Sequence, residues 1–252
     1  MASKYLRTSD LAKAAGVHPN LVRLYEELGY LPPIPRSDTG YRLFTVVHLE
    51  QMRLARLALQ WPYPGRKEVL VDLVKSAAND DLGMAMELAY QSLAYVRVER
   101  TYAEAAIEFL ERWALGQVFD TTQRQFHISE AAEWLGVTAD MLRNWERDGL
   151  IRIPRDPESN YRLYGATEFG RLRVIRMLRQ AGYSLMAILR MLLQFDAGKR
   201  DNLRQVLDTP REDEDIQWVA DRLLSTLGEQ EERAQKIIRQ ISHMIELSQS
   251  SK

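Results

Sequence analysis

The sequence predicts a mainly α-helical fold in which one small helical unit occurs twice, each copy followed by a long helix. Three observations predict it. First, LAKAAGVHPNLVRLYEELGYL (11–31) matches AAEWLGVTADMLRNWERDGLI (131–151) at a constant offset of 120 residues. Gly16-Val17 falls on Gly136-Val137, Arg23 on Arg143, Glu26 on Glu146 and Gly29 on Gly149. IPRSDTGYRLF (34–44) then lies over IPRDPESNYRLY (153–164), two single-residue length changes cancel, and agreement runs on through Arg53/Arg173 to Tyr63/Tyr183. Self-similarity at one spacing is the mark of tandem duplication. Second, glycine punctuates each copy at intervals that leave room only for short helices. Third, each copy is followed by apolar residues at 3–4-residue spacing over several turns, the pattern of a long helix with one buried face.

The elements follow in order. Ser9 and Ser129 are candidate N-caps, each followed by an acid that suits the positive end of a helix. The helix stops at Gly16 or Gly136, because glycine tolerates the left-handed turn there. The next helix starts at His18-Pro19 or Thr138, with proline at its favoured first position, and ends at Gly29 or Gly149. Two short helices about a glycine turn make a helix-turn-helix, whose second helix can enter a major groove. The Pro/Asp/Gly or Pro/Asn loop before Tyr-Arg-Leu-aromatic predicts a small β-hairpin, a wing. A further helix is expected over about 46–60 and 166–180, with Arg53 and Arg56, or Arg173, Arg176 and Arg179, at near-helical spacing.

The first long helix is expected over about 84–115, its seam formed by Met84, Leu88, Tyr95, Val98, Tyr102, Ala106, Phe109 and Trp113. The second is expected over about 213–248, with Ile216, Ala220, Leu223, Leu227, Ala234, Ile237, Ile241 and Ile245. Such seams are buried against another helix. The aromatic stripe Tyr95, Tyr102, Phe109 and Trp113 is read as core rather than as a ligand pocket. The expected fold is therefore two winged helix-turn-helix domains whose long helices pair as an antiparallel coiled coil. Its divisions are 1–75 (first domain), 76–125 (scaffold helix and linker), 126–200 (second domain) and 201–252 (C-terminal helix).

Composition limits the function. The 252 residues are 46% hydrophobic and 27% charged, enough to bury a core. There is no cysteine, which removes disulfides, thiolate metal sites, iron–sulfur clusters and cysteine nucleophiles together. The four histidines (His18, His48, His127, His243) form no helical i,i+4 pair, so no metal site is expected. No signal peptide is evident, and the most apolar stretch, 183–195, is interrupted by Arg190, so the expected location is the cytoplasm, with no membrane partner. No phosphate-binding glycine loop and no acid pair or Ser/His/Asp frame occurs, so no catalytic residue and no cofactor is expected. The net charge of −1 conceals blocks of +3 (1–60), −3 (61–125), +3 (126–200) and −4 (201–252). Two anion-facing modules separated by acidic scaffold would give that alternation.

Both copies resemble the winged helix-turn-helix domain of the MerR family of bacterial transcription regulators, over about 1–75 and 126–195. The motif is Val22-Arg23-Leu24-Tyr25-Glu26 with Pro35-Arg36 and Tyr41-Arg42-Leu43-Phe44, and again Leu142-Arg143-Asn144-Trp145-Glu146 with Pro154-Arg155 and Tyr161-Arg162-Leu163-Tyr164. The resemblance implies double-stranded DNA as partner, with RNA polymerase at a promoter, and groove-facing residues on the second helix. Those are His18, Asn20 and Arg23 in the first copy and Thr138, Asp140 and Arg143 in the second. Arginine can bind guanine bidentately, asparagine adenine, while aspartate only accepts and favours cytosine, so the half-sites read by the two copies should differ. An intrahelical pair, with Glu26 or Glu27 for Arg23 and with Glu146 or the neighbours of Arg147 for Arg143, is the alternative use of these arginines.

By the same resemblance Tyr41, Arg42, Tyr161 and Arg162 of the wings, with Arg36 and Arg155 before them, are phosphate contacts. Tyr25 and Trp145 are expected in the core. The family usually has a further aromatic phosphate contact just before that residue; here Leu24 and Asn144 stand there, which leaves more of the grip to the wings. The implied function is sequence-specific transcription regulation on an imperfect inverted repeat, with bending or untwisting of promoter DNA. An architectural DNA-binding factor for recombination, segregation or plasmid transfer is the alternative. The two long helices are expected to pair within one chain, an intramolecular pseudo-dimer, in preference to a homodimer; the ten-residue linker 116–125 spans at most ~33–36 Å.

Overall fold

The computed structural model describes residues 5–117, 124–210 and 221–250. The first head comprises α1 (Thr8–Ala15), α2 (Pro19–Glu27), α3 (Val46–Leu59) and α4 (Lys67–Ala78), followed by the long α5 (Leu82–Ala114). The second head repeats the order as α6 (Ile128–Leu135), α7 (Ala139–Arg147), α8 (Ala166–Gln180) and α9 (Leu185–Asp196). A short α10 (Leu203–Asp208) and the long α11 (Leu223–Ser250) complete it.

The N-caps of the first helices lie two residues earlier than the serines suggest. Arg7 and His127 are the N-caps, and the carboxylate three residues on reaches back: Asp10 Oδ2 accepts from Arg7 N at 3.0 Å, and Glu130 Oε2 from His127 N at 3.2 Å. Ser9 and Ser129 therefore sit inside α1 and α6; a longer acidic side chain spans the cap better than a serine hydroxyl placed one turn in. Both helices stop at a left-handed glycine, Gly16 (φ 66°) and Gly136 (φ 62°). The carbonyls freed there are capped from the third helix of each head: Arg56 Nη1 donates to Ala15 O at 2.7 Å and Arg176 Nη1 to Leu135 O at 2.5 Å. Arg56 and Arg176 thus serve the fold.

The wings are shorter than a hairpin. Single antiparallel bridges, Leu6 with Phe44 and Arg36 with Arg42, and their repeats Phe126 with Tyr164 and Arg155 with Arg162, stand where the sequence predicts paired strands. Five and six residues separate the bridging arginines, and the turns take most of them, so each ladder is a single bridge long.

The chain divides into two compact units, Met1–Val98 with Leu227–Lys252, and Glu99–Thr226. In the first, Leu11, Val22, Phe44, Met52, Leu54, Leu70 and Leu73 are fully buried in one core that also takes Ala85 and Ala89 of α5 and Ile237, Ile241 and Met244 of α11. Arg97 Nε donates to Glu231 Oε1 at 2.8 Å in the same unit. Polar contacts tie α11 to the first head: Gln240 Nε2 donates to Glu50 Oε2 at 2.8 Å and to Glu50 O at 3.2 Å, and Arg233 Nη1 to the carbonyls of Gln60 and Pro62, both at 2.7 Å.

In the second unit the corresponding surface of α8 meets α5. The ring of Trp113 lies so close to Gly170 that a Cβ there would come within 2.9 Å of its Nε1, and Trp113 stacks on Phe195 of α9 at 4.4 Å between centroids. Arg200 Nη1 donates to Ala114 O at 3.3 Å. Each head is thus packed on the long helix that follows the other copy.

One expectation about α5 is corrected. Tyr95, Val98 and Tyr102 are 36%, 52% and 64% exposed, and Met84 is exposed as well. Of the predicted seam Ala106 is buried; the rest of the buried line is Ala85, Ala89, Leu93, Val96, Ala103, Ile107, Leu110 and Ala114. It lies one residue, about 100° of helical turn, from the predicted seam. Alanines let another helix backbone approach closely, so the small residues face inward and the tyrosines outward. On α11 the described seam residues Leu223, Leu227, Ala234, Ile237 and Ile241 are buried, and Ile245 is half-buried. Ile216 and Ala220, like linker residues 118–123, lie outside the described residues.

Candidate nucleic-acid interface

Both second helices expose the residues that the sequence singles out. On α2 His18 is the N-cap, its ring Nδ1 accepting from Asn20 N at 3.2 Å, while Asn20 and Arg23 point to solvent. Arg23 makes no hydrogen bond or ion pair among the described residues. On α7 Thr138 caps in the same way, its Oγ1 accepting from Met141 N at 3.1 Å. Here the arginine is engaged: Arg143 Nη1 donates to Asp140 Oδ1 at 2.5 Å. The intrahelical alternative therefore holds in the second head, with Asp140 rather than a glutamate as partner. Tyr25 and Trp145 turn inward and are buried, so each helix shows an apolar face to its core and a polar face outward.

The wing arginines are tied to these helices. Arg42 Nε donates to Glu26 Oε2 at 2.6 Å, and Arg162 Nε to Glu146 Oε2 at 2.5 Å. Arg36 Nη2 also approaches Glu26 Oε1 at 3.7 Å. With Glu26 and Glu146 about one-fifth exposed, these pairs are screened less than a surface pair. Each is a strut fixing the wing to the second helix. The Nη groups of Arg42 and Arg162 make no hydrogen bond among the described residues and keep their donors for an outside acceptor.

At the wing tips, Gly40 (φ 81°) and Asn160 (φ 59°) take the left-handed position that closes the turn. Arg36 and Arg155 donate to their carbonyls at 3.4 and 3.3 Å. Tyr41 and Tyr161 are 73% and 65% exposed, so their rings do not pack under the wing. In the second wing the Ser159 backbone N–H and hydroxyl, at 2.7 and 2.8 Å, hold the Asp156 carboxyl below the usual carboxylate range.

In the second head these parts enclose a concavity lined by His127, Ser129, Arg143, Arg155, Tyr161 and Arg162. Three guanidinium groups, a hydroxyl and a tyrosine phenol on one open surface suit phosphate oxygens. Sequence reasoning missed Glu26 and Glu146 as struts, although the repeat had matched them, and missed His127, whose ring meets Tyr161 edge-on at 5.7 Å. In the first head the residue at that position is Arg7.

A family model described as MerR HTH family regulatory protein matches residues 126–194, and one described as MerR family regulatory protein matches 7–44. Among curated proteins, the chain is 31% identical over 117 residues to the probable heavy metal-dependent transcriptional regulator of Haemophilus influenzae, covering 46% of this chain and 83% of that protein. It is 31% identical over 112 residues to the mercuric resistance operon regulatory protein of Bacillus cereus, covering 42% and 84%. It is 42% identical over 55 residues to the HTH-type transcriptional regulator CueR of Escherichia coli O157:H7, covering 22% of this chain and 41% of that protein. No solved structure matches the chain significantly. With no cysteine in the sequence, and no group of three or more His, Asp or Glu among the described residues that could hold an ion, the residues present do not fit a heavy-metal centre. Among the described residues no helix is long and apolar enough to cross a membrane.

Proposed function

From a chain that belongs to the MerR family of regulatory proteins, we propose a double-stranded-DNA-binding transcription regulator with two unlike reading heads in one polypeptide. The observation that carries this reading is the strut made twice, Arg42 on Glu26 and Arg162 on Glu146, which holds a wing rigidly beside an exposed second helix in both heads. Rigid spacing between helix and wing suits one groove and its flanking phosphates. Arg36, Tyr41 and Arg42, with Arg155, Tyr161 and Arg162, hold phosphates. His18, Asn20 and Arg23, with Thr138, Asp140 and Arg143, face the bases. Because those triplets differ, the operator is an imperfect inverted repeat.

The two long helices pair antiparallel within one chain. Two observations of opposite sense support this: the earlier Ala85 and Ala89 share one core with the later Ile237, Ile241 and Met244, while the later Arg97 bonds the earlier Glu231. Heads and scaffold divide along the chain at the end of α4 (Ala78), three residues beyond the expected 75, and near 125 and 200. A braced scaffold lets the heads impose a bend or untwist on promoter DNA, a deformation that costs about 1–6 kcal/mol.

Selection of bound fragments from genomic DNA tests the reading, since it reports site, spacing and asymmetry together. The double variant Arg23→Ala, Arg143→Ala should lose ~1–3 kcal/mol of specific binding for each base contact removed. Unchanged affinity would show these arginines to be elsewhere than on bases. Light scattering after size exclusion should give a one-chain mass; a two-chain mass without monomer would sink the intramolecular pairing. Transcription from a bound promoter should change with the protein present. Binding and bending without that change would favour the architectural role instead.

A further inference from the structure

The second helices of the two heads differ in charge at Asn20/Asp140, Glu27/Arg147 and Leu28/Asp148; Arg147 and Asp148 pair with each other, and the first difference lies beside the exposed Arg143. Position 20 of the first head is Asn, and its equivalent in the second is Asp140. Asp140 is the second residue of α7, its side chain 83% exposed, and its carboxylate holds the Arg143 guanidinium, itself 52% exposed, at 2.5 Å. Residues three apart lie on one face of a helix, so acid and base share the side turned to solvent. Arg143 in turn lines the concavity with Arg155, Tyr161 and Arg162. In the first head Arg23 is exposed and carries no ion pair among the described residues.

We infer that Asp140 is a positioning residue that sets the second head as the weaker reader, so that the first head anchors the protein on DNA and the second adds only on a matching half-site. This rests on the DNA-binding reading above. Two effects act in the same direction. Arg143 gives its Nη1 to Asp140, so a bidentate contact that uses both Nη groups means leaving the carboxylate, and an exposed pair of this spacing resists by a factor of only about two. The carboxylate then remains on a face turned toward a polyanion, and like charges set opposite each other weaken association further. Asn20 offers neither obstacle. A head that binds weakly unless its half-site is right contributes little on random DNA, which raises discrimination at the cost of affinity.

The test uses the full chain and a duplex recovered by selection, with each half-site scrambled in turn so that one head is read at a time. The half-site of the second head is the one whose protection Arg143→Ala removes. Asp140→Asn should tighten binding on the duplex that keeps only this half-site by on the order of tenfold, and steepen the slope of log K against log salt by up to about 0.9. Asp140→Glu keeps the charge and should restore the parent's affinity and slope. Asn20→Asp should weaken the first head and flatten its slope by like amounts, and it keeps the test decisive should Asp140→Asn unfold α7. Unchanged or weaker binding by Asp140→Asn, or an unchanged salt slope, overturns the inference, because the Asp140 charge would then not hold the second head back from DNA. A parent with no salt-dependent DNA affinity overturns the DNA reading and this inference with it, whereas a parent that binds beside an inert Asp140→Asn overturns this inference alone.

Discussion

The two heads share a frame and differ in how they are fastened. In the first, α3 meets α11 through polar groups, Glu50 with Gln240, and Arg233 with the carbonyls that end α3. In the second, position 50 has become Gly170, and the aromatic ring of Trp113 fills the space. One surface is hydrogen-bonded and buries a glutamate; the other is a flat ring over a bare backbone. The same docking task thus has two chemical solutions on one scaffold, and each pair of partners has to change together. A glutamate at 170 would strike Trp113, and a tryptophan in place of Gln240 would take away the bond to Glu50 Oε2, leaving the buried carboxylate only its Arg53 partner. Duplication followed by paired change makes each head specific for its own long helix.

This comparison can be broken from either side. The largest effect is expected from Ile241→Ala. Its side chain is fully buried in the first unit, and the cavity should cost about 2–5 kcal/mol. Amide exchange should show α3 losing protection while α8 keeps it; equal loss in both would mean that the units do not unfold separately. Next comes Gly170→Leu, which drives a side chain into Trp113 and should cost about 1–3 kcal/mol in the second unit, read by tryptophan fluorescence and thermal melting. Glu146→Gln should weaken the strut to Arg162 by about 1 kcal/mol and loosen the second wing, measured as faster cleavage by a protease at residues 156–160.

The smallest effect is a pH dependence confined to the first head. His48 follows the N-cap Thr45 by three residues and accepts from Thr45 N through Nδ1 at 3.1 Å; in the second head Glu168 accepts from Gly165 N at 2.9 Å. Burial pushes the His48 pKa below its ordinary value of 6.5. The folded head therefore binds fewer protons than the unfolded one, and the stability due to His48 is whole above 6.5 and lost as pH falls through its lowered value. Melting temperature should drop over that window, and His48→Gln should flatten the profile. A slope that survives the substitution would assign the effect to another group.

Particular residues show how far a linear reading reaches. The third helix of each head is found at Val46–Leu59 and Ala166–Gln180, within a residue of its expected limits, because proline, glycine and the wing motif bracket it. The outward Tyr41 and Tyr161 and the buried Tyr25 and Trp145 follow from their place in the repeat. The inward face of α5 does not. Aromatic size draws the eye to Tyr95 and Tyr102, whereas the buried residues are Val96 and Ala103, one position on. The wing arginines were read as phosphate ligands, and their bond to a glutamate 16 residues earlier has no local signature.

Periodicity, glycine punctuation and the repeat are properties of neighbouring residues, since backbone sterics and helical pitch act over a few positions. They were enough to define two heads, two long helices and a candidate surface for DNA. Which long helix each head rests on, which side of α5 turns inward, and which arginine is held by a carboxylate depend on residues up to 190 positions apart meeting in space. Close packing and charge pairing are settled only there, because both fall off within a few ångströms and take no account of distance along the chain.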